Sequence, residues 1–217
     1  MKVWWLVLGI ALMVAGCSSP KPLNFVVLYD MTGSEAQRLP ELKTFLIRTA
    51  NPRTRGLLYD GDTFTVIPIR APRKGDTTYP VLVHGTYEEG SRALERQLQT
   101  VLPDKVDTEW GTDLSLAIRS AASVLRRQDG ERVLIISGPG EDHADHPVTP
   151  AEVGSALAGT LVILLNAGEP YAGRWAAFFG ATGVRALLTY DAATTRDLYA
   201  GPDRLRDRIN TTLFGRR

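Results

Sequence analysis

Three stretches of this sequence carry almost no polar residues: 23–29 (LNFVVLY), 133–136 (VLII) and 161–165 (LVILL). A strand with one face in water would alternate apolar and polar side chains. A continuous apolar, β-branched run is what a strand covered on both faces requires, and that setting belongs to a parallel sheet with helices on each side. The intervening segments agree. Residues 34–49 have helical spacing through Leu39, Leu42, Leu46 and Ile47, with Phe45 beside them; Pro40 predicts a kink or a late start. Residues 91–102 set Leu94, Leu98, Val101 and Leu102 on one stripe, and 113–127 do so with Leu114, Ala117, Ile118, Ala121 and Leu125. Further strands are expected at 62–70, where Pro68 implies an edge or a bulge, at 79–83 after a turn-rich stretch, and at 186–190. Helical segments precede the strands at 161–165 and 186–190, and a helix over 198–213 closes the chain. This alternation predicts an α/β fold: an open, doubly wound, mostly parallel six-stranded sheet with helices on both faces.

The first residues read differently. Lys2 precedes a charge-free run of 13 residues, 3–15, which is shorter than the roughly 20 apolar residues a bilayer span needs. It suits the apolar core of a signal peptide. The run ends in Val14-Ala15-Gly16-Cys17, which resembles the lipobox of bacterial lipoproteins. That resemblance implies a signal peptide at 1–16, a lipid on Cys17, a short tether at 17–22 and a domain at 23–217. Several acyl chains on one residue give stable anchoring where one chain is marginal. Ser18 follows the Cys; in that family an Asp there would resemble an inner-membrane retention signal. The expected place is therefore the periplasmic side of the outer membrane.

Composition narrows the function. The chain has 217 residues and a single Cys, so neither an internal disulfide framework nor a Cys-rich zinc site is available. Lys plus Arg total 25 against 24 for Asp plus Glu, a net charge of +1, which argues against nucleic acid as a partner. Arg204, Arg206 and Arg208 alternate with Asp203 and Asp207 and read as a solvated helix face, with Arg216 and Arg217 as a basic tail.

In an open parallel sheet, ligands bind beyond the carboxyl ends of the strands, where strand order reverses. The loop after the first strand reads Asp30-Met31-Thr32-Gly33-Ser34. Its alternate positions offer one carboxylate and two hydroxyls, an oxygen set suited to a small hard cation such as Mg²⁺. The same residues also fit a purely local role. Ser34 with Gln37 makes a capping box, and Asp30 can cap the turn. In Gly111-Thr112-Asp113, both Thr112 and Asp113 are good N-caps.

Taken together, the two loops resemble the von Willebrand factor type A (vWA) family. Its metal-ion-dependent adhesion site (MIDAS) combines Asp-x-Ser-x-Ser after the first strand, a Thr in a Gly-Thr loop, and an Asp after the fourth strand. Asp30, Thr32 and Ser34 match the first element, with Thr for the first Ser, and Thr112 matches the second. The resemblance implies strand order 3-2-1-4-5-6, a Mg²⁺ or Mn²⁺ site, and a non-enzymatic role in binding an envelope protein. The third element departs: Gly138 stands where the acid belongs. Asp142 is the expected substitute, with Glu141 beside it, swinging back over Gly138 and Gly140. Two other readings stay open. One is a hydrolase using Ser137 with His143 or His146, in the loop 137–146; the other is a metal-free structural subunit. His84 is expected to be structural.

Overall fold

A computed structural model describes residues 22–32, 35, 37–51, 53, 56–70, 81–102 and 111–215. The expectations for the leader, for Cys17 with the tether to residue 21, and for Ser34 lie outside these residues. Among the described residues, six strands form one sheet: β1 (Leu23–Asp30), β2 (Thr63–Ile69), β3 (Val83–Thr86), β4 (Glu131–Ser137), β5 (Leu161–Leu165) and β6 (Ala186–Tyr190). Their order is β3-β2-β1-β4-β5-β6, and every pairing is parallel except the antiparallel β2–β3. The helices are α1 (Leu39–Thr49), α2 (Ala93–Val101), α3 (Leu114–Leu125), α4 (Pro150–Leu157), α5 (Tyr171–Ala181), α6 (Ala192–Ala200) and α7 (Pro202–Phe214). This is the doubly wound sheet that the apolar runs call for, in the strand order expected.

The central strands show why polar alternation is missing from their sequences. Successive side chains point to opposite faces. Leu23, Phe25, Val27 and Tyr29 of β1, with Val133 and Ile135 of β4, pack under α1, α2, α6 and α7. Val26, Leu28, Leu134 and Ile136 pack against α3, α4 and α5. Both faces of these strands are therefore core, and each large apolar side chain so covered contributes about 1.5–3 kcal/mol.

Several boundaries differ from expectation. Helix α1 begins only at Leu39, with Pro40 in its first turn. The N–H groups of a helix's first turn have no partner within it, so a proline is tolerated there. In α2, Leu94, Leu98 and Leu102 are buried, but Val101 is 37 % exposed. The third strand is Val83–Thr86, with His84 opposite Thr65, and so begins at the last residue of the expected 79–83, of which 79 and 80 lie outside the described residues. The Thr65 hydroxyl and His84 Nδ1 are 2.8 Å apart, which gives His84 its structural role. Pro68 lies two residues past the last rung to β3, Val66↔Val83, where the strand has lost that neighbour. The closing helix is two helices, broken at Gly201-Pro202, since Pro202 cannot continue α6.

The largest correction concerns Arg206. It does not lie on a solvated face but is 1 % exposed. Its guanidinium pairs with Asp62, donates to the Leu57 carbonyl at 3.0 Å, and lies 4.1 Å from the Tyr59 ring centroid. Asp62 also accepts the Leu23 amide at 2.7 Å and the Tyr59 amide at 2.8 Å. This cluster fastens α7 to the amino end of the sheet. Arg204 and Arg208 are exposed, as expected. Among the described residues no helix is long and apolar enough to cross a membrane.

Candidate metal centre

Strand order reverses between β1 and β4, so the loops beyond their carboxyl ends flank the crevice. Strand β1 ends on Asp30, and the Met31 amide still bonds the Ile69 carbonyl of β2 at 3.2 Å. The chain then turns tightly. Asp30 Oδ1 accepts both the Thr32 amide, at 2.7 Å, and the Thr32 hydroxyl, at 2.6 Å. Thr112 reaches the same point from the loop before α3, its hydroxyl oxygen 3.1 Å from that of Thr32. Asp30, Thr32 and Thr112 are 1 %, 3 % and 4 % exposed. The cap of α3 falls to Asp113, which accepts the Leu116 amide at 2.7 Å, while Thr112 faces Thr32. The structure thus brings together Asp30, Thr32 and Thr112; Ser34 lies outside the described residues.

Asp142 does not join them. Its Oδ1 accepts the Ser115 amide at 3.1 Å and its Oδ2 the Ser115 hydroxyl at 2.6 Å, with Arg174 at 3.7 Å. It anchors the first turn of α3 instead of swinging back over the glycines. The loop around it is held at several points. Trp175 Nε1 donates to the Gly140 carbonyl at 2.7 Å, and the His143 amide donates to the Thr112 carbonyl at 2.8 Å. Nor can residue 138 carry the family's acid in this backbone. Gly138 has φ +155°, and a Cβ there would sit 2.9 Å from the Asp30 Cβ. Asp30 is packed against the bare glycine.

A second polar cluster, missed in the sequence, lies beside the first. Glu35 is 5 % exposed, and its Oε1 accepts from Asn166 Nδ2 at 2.6 Å. Asn166 follows β5 with φ 67°, a conformation Asn tolerates better than most residues. Its amide bonds the Tyr190 carbonyl and the Thr195 hydroxyl. Burial pushes the Glu35 carboxyl up to about 7; Asp30 adds to the rise, while Arg38 and the Asn166 bond oppose it. Asn166, in Asn-Ala-Gly after an apolar run, carries a turn signal. Glu35 had no local signal at all, since it reads as an ordinary first-turn helix acid.

Ser137 is not paired with either histidine. Its hydroxyl is bonded to the Tyr199 hydroxyl, on the α1–α6 side of the sheet. Burial raises the Tyr199 phenol well above its ordinary value. His143 and His146 are exposed in the loop that packs on α3. The structure supplies no base for Ser137 from that pair.

No family model and no curated protein matches this chain. Solved structures do. The pilus adhesin SpaC of Lactobacillus rhamnosus GG superposes with TM-score 0.61 at 14 % identity, over 90 % of this chain and 31 % of that one. A von Willebrand factor type A protein from Catenulispora acidiphila gives 0.55 at 15 %, over 90 % and 43 %. The domain has a vWA-like fold. Proximal thread matrix protein 1 of the mussel byssus gives 0.55 at 13 %, over 85 % of this chain and 48 % of that one. A structure of the mussel protein with a zinc-occupied MIDAS motif gives 0.50 at 14 %. This vWA-like chain spans less than half the length of each of these proteins. Among its described residues no group of three or more His, Cys, Asp or Glu is placed to hold a metal ion. The Asp30 cluster is of another kind, one carboxylate with neutral hydroxyls, and in donor chemistry it fits the oxygen-only site of a vWA domain.

Proposed function

We propose that this chain is a lipid-anchored envelope protein whose vWA-like domain binds a protein partner through the loops at the carboxyl ends of its strands. The observation that carries the reading is the convergence of Asp30, Thr32 and Thr112 from two loops far apart in sequence, with their hydroxyl oxygens 3.1 Å apart at the strand-order reversal. Local capping does not require that meeting. Asp113 caps α3 without Thr112, and α1 starts at Leu39 without a side-chain cap. SpaC is a pilus adhesin and the mussel protein has a MIDAS motif that holds zinc; both supports are by likeness of fold.

In this reading Asp30, Thr32, Ser34 and Thr112 hold Mg²⁺ or Mn²⁺, and the ion offers an open position to an acidic group of the partner. Thr32 and Thr112 supply neutral oxygens. Asp30 supplies charge and is held in place by the Thr32 amide. The clasped loop around Asp142 keeps Thr112 in position through the His143 amide. The role proposed for these residues is binding, and none of them has to move a proton for it.

The anchor rests on Lys2, the short apolar run and Val14-Ala15-Gly16-Cys17. Residues 17–22 reach about 20 Å when extended. They lead into Leu23, at the opposite end of β1 from Asp30, so the domain stands near the outer membrane with its docking loops turned away. Intact-mass analysis of the membrane fraction is expected to show an acylated Cys17, and Cys17→Ser to abolish it; an unmodified chain in the soluble fraction refutes the anchor. Calorimetry of the detergent-solubilised protein is expected to show Mn²⁺ and Mg²⁺ binding that Asp30→Ala removes. Wild-type protein that binds neither ion reduces the Asp30 loop to a structural turn.

A further inference from the structure

We propose that Glu35 supplies the second carboxylate of the metal site, in place of the acid that the vWA family sets after its fourth strand. This rests on the metal-binding reading above. The geometry begins at the turn after β1, where the Glu35 amide donates to the Thr32 carbonyl at 3.1 Å and keeps residue 35 beside the Asp30 loop. From there the side chain reaches Asn166, just past β5, at 2.6 Å. Strand β4 lies between β1 and β5. A side chain rooted past β1 and bonded past β5 must cross the carboxyl end of β4. That end is Ser137-Gly138, the place from which the family's acid projects.

Residue 138 itself leaves the space open. A side chain there would meet Asp30 at 2.9 Å, so residue 138 cannot itself carry the acid. The crossing is also fixed at its far end. The Asn166 backbone amide donates to the Tyr190 carbonyl at 3.0 Å and the Thr195 hydroxyl at 2.8 Å, which holds in place the residue whose side chain reaches Glu35. Arg38 stands 3.8 Å from Glu35 Oε1, but its side chain is 36 % exposed, and so screened a pair neutralises a buried carboxylate poorly. Asp30 and Glu35 then bring two nearly buried carboxylates to the loop after β1, where the Thr32 and Thr112 hydroxyls also meet. Two carboxylates with neutral hydroxyls make an oxygen set suited to a divalent cation. Asp142, by contrast, has each oxygen bonded to Ser115.

The rival role for Glu35 is to fasten the β1 loop to β5. Glu35→Gln separates the two, because the glutamine oxygen still accepts from Asn166 and only the charge is lost. Mn²⁺ binding to the detergent-solubilised chain is followed by loss of the free-ion paramagnetic resonance signal, with a thermal melt of each apo protein. Glu35→Gln is expected to weaken Mn²⁺ binding at least about tenfold, as loss of a metal-facing partner does. Its apo melting temperature should stay within about 3 °C of wild type, a range that excludes lost folding as the cause. Asp142→Asn is expected to leave Mn²⁺ affinity within about twofold of wild type, well short of the tenfold loss a metal-facing group gives. Wild-type affinity in Glu35→Gln overturns the assignment of Glu35 while leaving the metal site standing. An equal loss in Asp142→Asn overturns it in favour of Asp142. A wild-type protein that takes up no Mn²⁺ overturns the metal reading itself, and this assignment with it.

Discussion

Two buried aspartates stand at opposite ends of the sheet, and they are treated differently. At the amino end Asp62 meets its counter-charge inside the fold: Arg206 pairs with it, and two backbone amides fill the remaining positions. At the carboxyl end Asp30 is bonded to the amide and hydroxyl of Thr32, with the Thr112 hydroxyl close by. Both are 1 % exposed. The first arrangement is closed and ties α7 to β1. The second clasps a carboxylate within its own turn at the crevice, where a hydroxyl from a distant loop meets it. Burial alone therefore does not separate a structural acid from a functional one; the chemistry of its partners does.

If this contrast holds, breaking the amino-end cluster should damage stability and spare metal binding. Arg206→Met leaves Asp62 buried and uncompensated and should cost about 3–5 kcal/mol in urea unfolding. A loss below about 1 kcal/mol, the worth of an exposed pair, would show that Asp62 is not confined as described. The folded fraction should bind Mn²⁺ as wild type does.

The next effect joins both ends of the comparison. Gly138→Ala places a Cβ against Asp30 and demands an unfavourable backbone angle. It should cost about 1–3 kcal/mol and weaken Mn²⁺ binding as well, because the strain falls on Asp30. Unchanged binding would place the ion away from Asp30. Smaller still in stability is Asp30→Asn, whose Oδ1 can keep both Thr32 bonds. Unfolding free energy should move by no more than about 1 kcal/mol, while Mn²⁺ ceases to raise the melting temperature. A persistent Mn²⁺-dependent rise would break the assignment of Asp30.

The smallest expected effect is a slope with pH. Folding raises the Glu35 carboxyl from its ordinary 4.5 to about 7. Between those values the folded chain binds a proton that the unfolded chain has released. Stability from this group is thus fully present below about pH 4.5 and is lost as pH rises toward 7. Urea unfolding across that window should show this fall in metal-free wild type and a flatter profile in Glu35→Gln. Matching profiles would mean that Glu35 is solvated.

What could be read in the sequence divides along the same line. Strands β1, β4 and β5 announce themselves because two-sided burial leaves apolar runs. Asp30, Thr32 and Thr112 were legible because each sits at a predicted strand end or helix start. Arg206 and Asp62 were not, since they lie 144 residues apart and the arginine sits among alternating charges that look solvated. Glu35 failed in the same way: its partner Asn166 is 131 residues downstream. Asp142 was misread because an acid near a missing acid invites substitution, whereas Ser115 on α3 was the nearer claim. The split at Gly201-Pro202 has a local signal, but apolar periodicity continues across it and hides the break.

Strand β1 has both of its ends in use. Leu23, at one end, is fastened through Asp62 and receives the proposed tether; Asp30, at the other, is the proposed docking end. Between them the strand is zipped on one side to β2, from Asn24↔Thr63 to Asp30↔Ile69, and on the other to β4, from Leu23↔Glu131 to Tyr29↔Ser137. Tension between a docked partner and an anchored Cys17 would run along this strand, parallel to its axis. The covalent backbone of β1 would then carry the load from end to end, without any rung of the flanking ladders having to yield. Such a domain would resist pulling far better along β1 than across it, and force spectroscopy in the two directions would measure the ratio.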